Sequence, residues 1–117
     1  MADYKFKNAY QEIEAEDIWK KLVDNIQVNT EFQSVGRTPK TYQIESVNTK
    51  LISFSGDDRK DIEDIDQSSF VDVLSKLKTI EVFNTNSSKL HFKGTDIYAK
   101  RSPLFGLLLT KGIIEKL

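Results

Sequence analysis

The residues best suited to chemistry are a basic pair, Lys100 and Arg101, placed directly before the most apolar segment of the chain, residues 102–112. Ser102 is a residue type that caps helices, Pro103 suits a first helical turn, and the glycine that closes the segment suits a left-handed stop. The pattern therefore predicts an apolar helix. Helix N-termini attract anions, so basic side chains there favour binding of a phosphate. The same letters also describe an ordinary buried helix.

Charge is spread unevenly and adds to this candidate anion surface. Residues 86–117 carry six bases against two acids, a net +4, although the whole chain carries −1. Tyr98 lies in the polar segment before the helix, where its ring either stacks on a base beside the basic pair or packs half-buried. Basic side chains hold nucleic acid by contacting its phosphates. We therefore predict a nucleic-acid-binding surface formed by Arg37, Lys40, Lys93, Tyr98, Lys100, Arg101 and Ser102.

The opposite charge is concentrated in residues 57–66, where six acids stand against two bases, a net −4. A charged segment of this kind speeds and orients the encounter with a partner of opposite charge, although it is also typical of a solvated face. The alternative function is therefore a protein–protein interaction module, such as an immunity, inhibitor or accessory protein. Its binding residues would be Asp57, Asp58, Asp61, Glu63 and Asp64.

Signatures of catalysis and of bound cofactors are missing from the sequence. Neither the GxxxxGK[ST] nor the GxGxxG phosphate-binding pattern is present. The single histidine, His91, falls in a predicted strand and would need a carboxylate partner to act as a general base. Asp58-Arg59-Lys60 matches the D-x-K half of a nuclease core but lacks the upstream Pro-Asp. We predict a protein that is not an enzyme.

Metal sites are equally unsupported by the sequence. There are no cysteines and one histidine, which excludes thiolate zinc sites, iron–sulfur clusters and sites with several histidines. The spacing of the acids in residues 57–66 does not match a calcium-binding loop. We therefore predict no metal and no cofactor.

Periodicity predicts the elements that position these residues. The predicted helices cover about residues 14–28, 67–78 and the apolar segment after Arg101, and the predicted strands cover 31–35, 40–47, 50–55, 80–83 and 89–92. An acidic loop, 56–66, precedes the second helix, for which Asp66 or Ser68 is the expected cap. Short connections predict an antiparallel meander. The fold class is α+β: one domain over residues 1–117, with an antiparallel sheet of three to five strands and about three helices packed on it.

Length and composition predict a cytoplasmic location. No apolar run approaches the roughly 20 residues that span a bilayer, and the first residues do not resemble a signal peptide, so we expect no membrane association. The absence of cysteine fits a reducing compartment. An exposed face of Leu107, Leu108 and Leu109 would serve as a homodimer interface.

The order of the segments resembles a small accessory domain of prokaryotic restriction and other defence proteins. The resemblance covers about residues 17–110 and lies in a helix, the segments Glu31–Arg37, Tyr42–Glu45 and Leu51–Phe54, the helix Phe70–Leu77, and a closing Ser-Pro helix. It implies contact with DNA in a prokaryotic defence or mobile-element context.

Overall fold

The computed structural model describes residues 2–56 and 62–117. The strands are β1 (Tyr4–Phe6), β2 (Glu31–Gln33), β3 (Thr41–Val47), β4 (Leu51–Ser55), β5 (Ile62–Asp66) and β6 (Ile114–Lys116). The helices are α1 (Asn8–Gln11), α2 (Ala15–Asn25), α3 (Gln67–Leu77), α4 (Lys89–Phe92) and α5 (Arg101–Thr110), with a short 3-10 turn at Tyr98–Lys100. The predicted α+β class is confirmed.

The main sheet is an antiparallel meander in the order β2-β3-β4-β5, as the short connections predict. Its inner face is apolar because side chains alternate along a strand: Phe32, Ile44, Ile52, Phe54 and Ile65 are buried. The helices α2 and α3 pack against each other and against this core through Trp19 and Phe70, whose ring centroids lie 5.0 Å apart. Asp66 caps α3, since its Oδ2 accepts the Ser69 N–H at 3.0 Å.

The edge of β2 that does not pair with β3 is covered by α5. A bare strand edge would expose unpaired backbone groups. Here the Val35 N–H donates to the Ser102 carbonyl at 3.3 Å, and Ser102 Oγ donates to the Val35 carbonyl. Gly106 allows the helix to approach, because a Cβ built there would lie 1.8 Å from the Gln33 carbonyl oxygen. The loop after β2 is thereby held against the start of α5.

The apolar helix itself is buried within one chain. Residues 103–108 are all buried, Leu109 is half-buried, and Gly112 ends the helix with φ +72°. The expectation that Leu107, Leu108 and Leu109 form an exposed face is therefore wrong, because Leu107 and Leu108 form part of the core. The expected cap is also wrong: the 3-10 turn leads directly into α5, so Lys100 occupies the N-cap position and Ser102 lies inside the first turn.

Three further expectations change. Residues 89–92 form helix α4 and not a strand, and the predicted strand 80–83 is reduced to one bridge between Tyr4 and Phe83. The last part of the predicted acidic loop is a strand, β5, which forms by antiparallel pairing with β4. A second sheet, in which β1 pairs with β6, is not predicted from the sequence. No helix in the described part of the chain is long and apolar enough to cross a membrane.

Candidate nucleic-acid interface

The loop between β2 and β3 presents the first basic residue, Arg37. The loop is closed at its base, where the Ser34 N–H donates to the Lys40 carbonyl at 2.9 Å and the Lys40 N–H donates to Ser34 Oγ at 3.0 Å. Gly36 has φ +140°, a conformation that L residues rarely adopt. Arg37 is exposed at the tip. The loop therefore projects a guanidinium from a fixed base.

The terminal sheet presents the second basic residue, Lys116. In β6 it stands opposite Tyr4 of β1. Tyr4 is in turn fixed to Phe83 by two backbone hydrogen bonds of 2.8 and 3.0 Å, and its ring meets Phe105 of α5 at 5.8 Å between centroids. Burial raises the pKa of the Tyr4 hydroxyl above its ordinary value. The strand that carries Lys116 is thus anchored on the core.

Arg37 and Lys116 line the same cavity, which we call the basic groove. Its volume is about 520 Å³, within the size range of small-ligand sites. Its lining consists of Ala2, Tyr4, Val35, Gly36, Arg37, Pro39, Thr85, Leu109 and Lys116. Among these described residues there are two cations and no acid, and the remaining wall is largely apolar. The groove is therefore suited to a ligand that joins an anionic group to an apolar or aromatic one.

A second cavity, the polar cavity, adjoins the basic groove. It measures about 480 Å³ and shares Val35 and Leu109 with the groove. Both shared side chains are apolar and half-buried, and we call this pair the saddle between the two spaces. The other lining residues are Glu31, Phe32, Gln33, Ser34, Thr41, Gly106 and Thr110. The lining therefore changes along the edge covered by α5, from two cations in the basic groove to one acid, Glu31, in the polar cavity.

The side chains of Lys100 and Arg101, at the start of α5, donate hydrogen bonds to backbone carbonyls of neighbouring segments. Lys100 Nζ donates to the Asp64 carbonyl of β5 at 2.6 Å. Arg101 donates through Nε to the Thr85 carbonyl at 3.1 Å and through Nη1 to the Tyr98 carbonyl, and its guanidinium carbon lies 4.3 Å from the centre of the Tyr98 ring. Both side chains therefore fasten the 3-10 turn to neighbouring segments.

Tyr98 is partly open to solvent, with 39% of its surface exposed. One face of its ring is occupied by Arg101. Arg101 also donates to the carbonyl of Thr85, a residue that lines the basic groove, so the Tyr98–Arg101 pair is linked to the groove through this hydrogen bond. Its contribution to nucleic-acid binding stays a prediction.

The remaining predicted residues are dispersed. Lys40 is exposed at the base of the β2–β3 loop, Lys93 is exposed after α4, and neither lines the basic groove. Asp57, Asp58 and Asp61 lie outside the described residues. Glu63 and Asp64 belong to β5 and not to a loop. The structure thus brings Arg37 and Lys116 to one cavity. The sequence does not predict this pairing because it does not predict strand β6.

His91 and the acidic side chains are the remaining candidates for catalysis or metal binding. His91 is half-buried in the helical turn α4, so the expected strand position is wrong. Over residues 2–56 and 62–117, no three His, Cys, Asp or Glu side chains cluster in a way that could hold a metal ion.

Comparison of the chain with protein-family models, with curated proteins and with solved structures gives no match.

Proposed function

We propose that this protein is a non-enzymatic module that binds nucleic acid through its phosphates, with the basic groove as its binding site. The observation that supports the proposal most is the convergence of Arg37 and Lys116, 79 positions apart in the sequence, on one groove whose described lining contains no acid. A guanidinium and an ammonium beside the same cavity are suited to consecutive phosphates or to one phosphate from two sides.

The surrounding wall agrees with a nucleotide ligand. Val35, Pro39 and Leu109 provide apolar surface next to the two cations. A nucleotide combines a charged phosphate with a flat, weakly polar base, so both parts find suitable partners. Phosphate contacts of this kind position a strand without reading its sequence. A role in a prokaryotic defence or mobile-element system stays a prediction.

Direct titration tests the proposal. Labelled single- and double-stranded DNA and RNA of mixed sequence would be titrated with the purified protein over a range of salt concentrations. We expect salt-sensitive binding with a Kd in the micromolar range or below. The double variant Arg37→Ala/Lys116→Ala should weaken binding to every sequence by about the same factor.

The control removes the same charge elsewhere. Lys20 and Lys21 are exposed on α2 and line neither cavity, so Lys20→Ala/Lys21→Ala should bind nearly as the unchanged protein does. Equal losses in the two double variants would show a general charge effect and overturn the basic groove as the site. No binding at low salt would overturn the function and would favour the alternative, a basic protein partner for the acidic segment.

A further inference from the structure

The polar cavity adjoins the basic groove along the edge covered by α5. The two spaces meet at the saddle of Val35 and Leu109, and each is of the size that holds one nucleotide-sized group. A ligand that fills the basic groove and continues along the edge covered by α5 must cross this saddle. It then meets the side chains of Glu31, Gln33 and Thr41.

Charge fixes the direction in which a nucleic acid would lie. Glu31 is exposed and carries a carboxylate, which repels a phosphate and attracts a hydrogen-bond donor. The phosphate therefore belongs beside Arg37 and Lys116, and the group that reaches Glu31 must carry hydrogen-bond donors. The ring N–H groups of guanine, thymine and uracil stand next to carbonyl oxygens that a carboxylate repels, so the exocyclic amines of the bases are the best-suited donors.

We propose that the basic groove and the polar cavity form one path for a single nucleic-acid strand, in which a phosphate lies between Arg37 and Lys116 and an amine-bearing base lies beside Glu31. The inference rests on the proposed function and adds to it the strand form and a base preference. It arises from the position of an acceptor, Glu31, in the cavity that adjoins the two cations of the basic groove.

The shape of the path favours a single strand over a duplex. In a duplex the bases are stacked and paired, and their amines are engaged or lie deep in a groove. An unpaired base is free to turn into a cavity and to place its face on apolar surface, here the side chains of Val35 and Leu109. A duplex would touch the rim through its phosphates and leave the polar cavity unused.

The sharpest probe is a pair of oligonucleotides whose bases differ only at C4 and at the adjacent ring nitrogen N3. Oligodeoxycytidine and oligodeoxyuridine, each about a dozen nucleotides long, have the same backbone and ring size. Cytosine presents an amine at the position where uracil presents a carbonyl oxygen, and the N3–H of uracil lies between two carbonyl oxygens that the Glu31 carboxylate repels. We expect the full chain to bind the cytidine strand at least about fivefold more tightly, the gain of about one net hydrogen bond.

Two variants assign that preference to Glu31. Glu31→Ala should reduce the cytidine-to-uridine ratio to about one, whereas Glu16→Ala, which removes the same charge from exposed α2, should leave the ratio unchanged. Arg37→Ala/Lys116→Ala should weaken binding of both strands and leave the ratio unchanged, because it removes only phosphate contacts.

The outcomes separate this inference from the proposed function. Binding that depends on Arg37 and Lys116 but shows equal affinity for the two strands, or that is tighter for a duplex, would overturn the inference and leave the function standing. A ratio that survives Glu31→Ala would also overturn it. Absence of any binding would overturn both. The same titration with cytidine and uridine ribonucleotide strands establishes whether the path takes DNA, RNA or both.

Discussion

At the scale of single residues, Lys100 links two groups of strand β5. Its Nζ donates to the Asp64 carbonyl at 2.6 Å, and its charge also acts on the carboxylate of Asp66. Burial alone would raise the pKa of Asp66, but hydrogen bonds from the Ser69 side chain and backbone, together with Lys100, lower the pKa below its ordinary value of 3.8. The cap of α3 is therefore an ionised carboxylate that the fold stabilises.

This arrangement predicts how stability depends on acidity through Asp66. Because the pKa is lower in the folded chain than in the unfolded chain, the stabilisation is present above the ordinary aspartate pKa and is lost as the pH falls through the folded pKa. Asp66→Ala should lower the free energy of unfolding at pH 7 by about 1 kcal/mol, and Asp66→Asn by less, since asparagine also caps helices. Urea unfolding at pH 7 and at pH 2.5 measures both effects.

The asparagine variant supplies the decisive comparison. It has no carboxylate to protonate, so its loss of stability between the two pH values should be smaller than that of the unchanged protein. Asp24→Asn, a substitution at an exposed residue of α2, should keep the original pH dependence. If Asp66→Asn follows the same pH curve as the unchanged protein, then Asp66 is not the titrating cap.

At the scale of elements, the contact between α5 and β2 depends on small residues. Ser102 and Gly106 are four positions apart and therefore lie on one face of α5. That face meets the backbone of Gln33, Ser34 and Val35. The close approach covers the open edge of β2 and also holds the loop that carries Arg37. An added methyl group at this contact should therefore affect both stability and the basic groove.

Gly106→Ala tests this contact. The new Cβ would lie 1.8 Å from the Gln33 carbonyl oxygen and 3.0 Å from the Ser34 Cα, both backbone atoms that cannot turn aside. We expect the free energy of unfolding to fall by about 3 kcal/mol or more, at the upper end of the range for overpacked sites. Thermal or urea unfolding, followed by circular dichroism, measures the loss.

Gly94→Ala is the control for this substitution. A Cβ at Gly94 meets nothing within 4 Å, but the residue has φ +85°, so alanine there costs only the left-handed backbone penalty of about 1 to 2 kcal/mol. A Gly106→Ala protein no less stable than Gly94→Ala would show that α5 does not approach β2 as closely as described.

Predictability from the sequence differs among the elements for a physical reason. Helices α2 and α3 and the strands β2 to β4 were predicted because each buries one face of a regular pattern over enough residues. Residues 89–92 were predicted as a strand, but a segment of four residues fits the helical and the strand period equally well. Hydrogen bonds of a helical turn, such as that from the His91 N–H to the Ser88 carbonyl at 3.0 Å, stabilise the helix. Strand β6 exists only through pairing with β1, which no local pattern predicts.

At the scale of the whole molecule, folding separates charges that cancel in the sum. The chain carries −1 overall, yet the described lining of the basic groove holds two cations and no acid. The sequence predicts Arg37 as a site residue and shows that the last third of the chain is positively charged. It does not predict Lys116 as a site residue. Composition identifies charge, whereas only the pairing of β1 with β6 places Lys116 opposite the β2–β3 loop.

Two pairs of basic residues therefore have different expected roles. Lys100 and Arg101 donate to backbone carbonyls of Asp64, Thr85 and Tyr98, whereas Arg37 and Lys116 are exposed and line the groove. Lys100→Ala/Arg101→Ala should lower the free energy of unfolding by about 1 to 3 kcal/mol, since each lost bond involves a charged donor. Arg37→Ala/Lys116→Ala should leave stability within about 0.5 kcal/mol, as is usual for surface changes.

The salt dependence of binding should change more in Arg37→Ala/Lys116→Ala than in Lys100→Ala/Arg101→Ala, the reverse of the order for stability. Each phosphate neutralised on a single strand contributes roughly −0.7 to the slope of log K against log salt concentration, so Arg37→Ala/Lys116→Ala, which removes the site for the one phosphate between the two cations, should flatten the slope by about 0.7. Lys100→Ala/Arg101→Ala should change the slope much less when measured at a temperature where the variant is folded. If that second variant keeps full stability and flattens the slope, then the start of α5 contacts the phosphates, and the basic groove is not the principal site.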